Sequence, residues 1–81
     1  MTFQSSLKQL TFVLPYSFKS AELTFHRRFG QEPQIHIVVE QNAQSRQVVS
    51  THQLSSGFWH VILDWWDGTE HYWKEQDILV S

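Results

Sequence analysis

The sequence predicts an all-β domain of about six to seven antiparallel strands, folded as a small sandwich or barrel. Three observations carry that expectation. Segments that alternate apolar and polar residues recur roughly every ten to twelve residues. Turn-forming residues punctuate them, and no stretch carries a sustained helical period between strands. Both faces of the final predicted hairpin bear large apolar groups, which favours two sheets over one.

The elements follow in chain order. Leu10, Phe12 and Leu14 alternate as a half-buried strand that Pro15 ends. Ala21, Leu23 and Phe25 alternate with Glu22, Thr24 and His26 in a second strand that runs into Arg27 and Arg28. Phe29-Gly30-Gln31-Glu32-Pro33 carries turn residues, and a third strand sets Ile35, Ile37 and Val39 against His36, Val38 and Glu40. Asn42 to Ser45 breaks the pattern, and Arg46 to Thr51 reads as a weaker edge strand. After the turn at Ser55-Ser56-Gly57 come the two strongest strands, Phe58 to Trp66 and Glu70 to Val80. Residues 3–10 carry the one weak helical signal. No repeat, low-complexity tract or linker interrupts residues 1–81, so they read as a single domain.

Asp67-Gly68 is the strongest short hairpin signal, a type I′ turn needing positive φ at both central residues. A two-residue loop there would set Leu63 opposite Tyr72 and Val61 opposite Lys74, on the face that also carries Trp59 and Trp65. That face is the expected core. The other face would pair His60 with Glu75, Ile62 with Trp73, and Asp64 with His71.

Composition limits the chemistry. With 81 residues the chain buries only about 60% of its unfolded surface. Aromatic residues at 15%, including four Trp and six Phe, supply the large buried area that so small a core needs. There is no Cys, which excludes disulfides, thiolate metal sites and thiol catalysis. The single Met, at position 1, excludes a methionine-rich copper(I) site. A net charge of −2 argues against nucleic acid as a partner. Residues 1–46 hold five basic and three acidic side chains; residues 47–81 hold one and five, so the second half carries −4. No apolar run approaches the roughly 20 residues of a membrane helix, and no signal peptide opens the chain, so a soluble domain is expected.

The candidate site residues each have a plain structural alternative. A five-residue loop at 29–33 would set His26 directly opposite His36, a two-imidazole metal site that lacks the third ligand such sites need. Two surface imidazoles are the plainer reading. His60 and His71 share a face but stand too far apart along it to hold one ion, and cross-strand pairing with Glu75 and Asp64 explains them better. Asp64 beside His71 has two parts of a catalytic triad without a placed nucleophile, so no enzymatic site and no cofactor are expected. Ile62, Trp66 and Trp73, rimmed by His60, Asp64, His71 and Glu75, form a candidate partner-binding patch. Alternatively, a second sheet or the N-terminal segment around Leu7 and Leu10 covers these rings, or the exposed aromatics stack on a carbohydrate or other ligand.

A resemblance strengthens the partner reading. Leu54-Ser55-Ser56-Gly57-Phe58-Trp59-His60-Val61-Ile62-Leu63-Asp64-Trp65, followed by Gly68, Tyr72, Glu75 and Ile78, resembles the end of the FixH extracytoplasmic domain, especially of the Bacteroidetes type. Leu23-Thr24-Phe25-His26-Arg27-Arg28 is similar to the family's strand ending in Phe-x-Arg-Pro, with Phe29 where that Pro is usual, and Ile35 to Val39 fits its next strand. The resemblance spans roughly residues 10–80. It implies an immunoglobulin-like periplasmic domain of a single-span inner-membrane protein, here without the N-terminal membrane helix. It further implies an accessory role, not an enzymatic one, in assembling the cbb3-type cytochrome oxidase. Its partners would be membrane proteins of an oxidase-assembly or copper-export complex, beside a copper-transporting P-type ATPase.

Overall fold

The alternation of apolar and polar residues turns every other side chain inward, and the strands assemble accordingly. The computed structural model describes residues 1–14, 18–40 and 45–81; the strand stop at Pro15 and the break over 42–44 lie outside them. Seven strands are present among the described residues: β1 (Thr2–Gln4), β2 (Gln9–Val13), β3 (Ser20–Arg27), β4 (Ile35–Val39), β5 (Arg46–Ser50), β6 (Gly57–Trp66) and β7 (His71–Val80). They form two antiparallel sheets, ordered β1-β2-β5 and β4-β3-β6-β7. The result is a small antiparallel β-sandwich, the fold class that the sequence predicts. β4 pairs with β3, whereas in a constant-type immunoglobulin domain the fourth strand joins the other sheet.

The inner faces meet in one core. Leu10 and Phe12 from β2 face Ala21, Leu23 and Phe25 of β3 and Trp59, Val61 and Leu63 of β6, all buried. Leu14, Phe18, Val39, Leu54, Ile78 and Val80 complete it. Trp59 is fully buried, and withdrawing about 200 Å² of ring from water contributes on the order of 5 kcal/mol. The expected core face of β6 is therefore the real one up to Leu63, and Trp65 is half-buried beyond it.

Four local expectations need correction. Residues 3–10 are not helical: they hold β1, a single 3-10 turn over Ser5–Leu7, and the start of β2. Phe3, Leu7 and Leu10 mimic helical spacing, but Phe3 pairs across to Leu10 and packs on the core. Lys8, at φ 52°, ends the turn in left-handed backbone.

The final hairpin is also shifted by two positions. Leu63 lies opposite Lys74, Val61 opposite Gln76, His60 opposite Asp77, Ile62 opposite Glu75 and Asp64 opposite Trp73. The turn centres on Gly68 and Thr69, with positive φ at Gly68 alone, so it is not type I′. Asp67 instead closes the hairpin, its backbone N–H donating to Glu70 O at 3.1 Å. Its carboxylate accepts the N–H groups of Thr69 and Glu70 at 2.8 and 2.7 Å. An even shift keeps every side chain on its expected face.

Tyr72 shares the core face but is 39% exposed, because it sits at the hairpin end, stacked on Trp65 with ring centroids 5.4 Å apart. In the fourth case the β3–β4 connection is longer than five residues. His36 consequently lies opposite Thr24, and His26 lies opposite His60 of β6. The proposed His26–His36 pair does not form.

Candidate functional site: the outward face of the four-stranded sheet

Because the odd residues of β3 and β6 face inward, their even residues share the outer surface with the odd residues of β7. Cross-strand register arranges that surface in rows. His26, His60 and Asp77 form one row; His36, Thr24, Ile62 and Glu75 the next; Val38, Glu22, Asp64 and Trp73 the third; Ser20, Trp66 and His71 the last. All five partner-binding candidates, Ile62, Trp66, Trp73, His60 and His71, thus lie on one face. Trp73 is 64% and Trp66 41% exposed, and Ile62 is half-buried. Leu10 is in the core and Leu7 is itself exposed, so that segment does not cover the rings.

The imidazoles are tied to carboxylates across strands. His60 Nδ1 lies 2.7 Å from Asp77 Oδ1 and Nε2 lies 2.8 Å from Glu75 Oε1. Carboxylates only accept, so both ring nitrogens must donate and the ring is imidazolium. The bond to Asp77, then that to Glu75, raises the His60 pKa above 6.5. The same bond, with Arg28 nearby, lowers that of Asp77 below 3.8. Arg28 Nη1 reaches Asp77 Oδ2 at 3.2 Å. His36 Nδ1 lies 2.9 Å from Glu22 Oε1, His71 Nε2 lies 3.2 Å from Asp64 Oδ1, and His26 Nδ1 meets the Gln34 amide at 3.0 Å. The His71–Asp64 contact forms although the two are not directly opposite, and it serves as a surface pair. At the turn, the Tyr72 hydroxyl donates to Glu70 Oε2 at 2.8 Å, which pushes its pKa up to about 12.

Two features escape the sequence reading. At the far end of the face Phe58 lies opposite Leu79, and Phe29 meets Phe58 edge-on with centroids 6.5 Å apart. All three are exposed. They extend the apolar surface beyond the His–carboxylate rows; their alternation with His60 and with Asp77 is the signal that could have placed them there. The second feature is Arg27, which turns inward in phase with Leu23 and Phe25. Its guanidinium carbon lies 5.4 Å from the Trp59 ring centroid, and Nη1 donates to Ser55 Oγ at 2.8 Å. Nε donates to Phe29 O at 3.0 Å, and Glu32 lies 3.9 Å from Nη1. Arg27 plugs the end of the core.

Among the described residues, no group of three or more His, Cys, Asp or Glu side chains could hold a metal ion. Nor is any described helix long and apolar enough to cross a membrane. Comparison with known protein families, curated proteins and solved structures finds no match for the chain.

Proposed function

We propose that this domain is a non-enzymatic interaction module that presents the outward face of its four-stranded sheet to another protein. The carrying observation is the exposure of Trp73 and Trp66 beside Ile62, on a sheet whose opposite face already holds the core. An apolar centre rimmed by His60, Asp64, His71 and Glu75 is how a protein contact patch is built. The resemblance of Leu54–Trp65 and Leu23–Arg28 to the FixH domain supports the choice of partner. On that reading the domain works at the periplasmic side of a bacterial inner membrane, as the soluble part of a membrane-anchored protein. Its partners are membrane proteins of an oxidase-assembly or copper-export complex.

The test is capture from detergent-solubilised inner membranes of a bacterium that makes a cbb3-type oxidase, on immobilised domain, with Trp73→Ala as the control. Enrichment of oxidase-assembly or copper-ATPase proteins by the native domain alone supports the reading. Equal retention by Trp73→Ala, or selective binding on a glycan array in place of protein capture, contradicts it.

A further inference from the structure

The outward face has a charge pattern that specifies its occupant. No outward-facing position of β3, β4, β6 or β7 is Lys or Arg. Four carry carboxylates, Glu22, Asp64, Glu75 and Asp77, and four carry imidazoles, His26, His36, His60 and His71. Trp73 stands among them with Ile62 and Trp66 as its diagonal neighbours. With His60 charged and the other three imidazoles neutral these positions sum to −3; with all four charged they sum to zero. At the margins of the face Arg28 is already bonded to Asp77, and the Lys19 side chain lies against Gly68 at the turn. Asp67 and Glu70 add further negative charge there.

Resting on the reading of this face as a contact surface, we infer that it takes a Lys- or Arg-rich segment of a partner protein and releases it on acidification. The chemistry follows from the face itself. The aliphatic stem of a Lys or Arg lies over the Trp73 ring while its charge meets Asp64 and Glu75. Protonation then puts cations where the incoming charges would sit. Histidine is the side chain whose charge ordinarily changes between about pH 5 and 8. Each carboxylate has an imidazole as its hydrogen-bonded neighbour, with Glu75 and Asp77 sharing His60. Proton uptake therefore neutralises the face where it recruits. His60 already donates from both ring nitrogens and is an imidazolium in this geometry.

The probe is a fluorescent octapeptide of alternating lysine and valine, with the glutamate–valine octapeptide as control, followed by anisotropy at low ionic strength. The basic peptide is expected to bind at about pH 7.5 and to weaken at least about tenfold at about pH 5.5. Trp73→Ala and Asp64→Asn should each weaken it while the urea midpoint stays near that of the native domain. Equal binding of the two peptides, or basic-peptide binding that is unchanged or stronger in acid, overturns the inference. Membrane-partner capture that is lost in Trp73→Ala yet indifferent to salt, pH and competing basic peptide overturns this inference alone. Capture that survives Trp73→Ala overturns the contact-face reading beneath it.

Discussion

At Trp59 the fully buried ring also carries Arg27 on its face and donates its indole N–H to Ser55 O at 2.9 Å. Trp59→Ala removes all three, and a cost of about 3–5 kcal/mol is expected in urea denaturation, a large fraction of a small domain's stability. Gly57 beside it has φ +128°, and a Cβ there would sit 2.6 Å from an Arg27 guanidinium nitrogen. Gly57→Ala should therefore destabilise by about 1–3 kcal/mol, and adding Arg27→Ala should relieve only the steric part. The Trp59 alternation was legible because Trp, Val and Leu at every second position have one consistent reading. Arg27 was not, because a guanidinium in a strand reads as surface until a ring beneath it supplies the reason to turn inward.

His60 makes stability depend on pH at the same scale. Its folded pKa is raised above 6.5, so its contribution is full below that value and is lost as pH rises through the folded one. Asp77 has its folded pKa below 3.8, so its contribution is present above that value and lost as pH falls through the folded one. The midpoint difference between the native domain and His60→Ala should be greatest between 3.8 and 6.5 and shrink toward about pH 9. A difference that grows with alkalinity would contradict the imidazolium assignment.

Within elements, turn chemistry decided what side-chain pattern could not. The β6–β7 faces were readable because two strands of alternating residues tolerate an even slip without exchanging sides. Their register was not, because it depended on whether Asp67 occupies a central turn position or closes the pair. The carboxylate of Asp67 settles it by accepting two backbone N–H groups. Those bonds hold its pKa below 3.8, so its stabilisation is present above that value and disappears as pH falls through the folded one. Asp67→Ala should lower the urea midpoint at neutral pH, and the gap should close in acid. The same loop-length ambiguity undid the His26–His36 pair.

Across the whole molecule, six of the seven strands were legible from periodicity and the three-residue β1 was not; nor was their division between sheets, since β4 carries nothing in its sequence to say which sheet it joins. That division makes the ten-residue β7 an edge, and a long unpaired edge invites pairing with another chain. Lys74 answers this from the core-side register of β7, exposed beside Leu63, Phe12 and Met1 at the rim of a cavity of about 240 Å³ between the sheets. Lys74→Val removes that charge and should shift the domain toward concentration-dependent dimers or larger species in sedimentation, relative to the native domain measured alongside it.

The separation of one sheet into an inner face that folds and an outer face that binds is tested most directly by Trp73→Ala, measured for both properties on one sample. Trp73 is 64% exposed, so the urea midpoint should move by no more than about 0.5 kcal/mol equivalent, while capture of the membrane partner is lost. A variant that loses stability as Trp59→Ala does, or that keeps its stability and still captures the partner, would contradict the account.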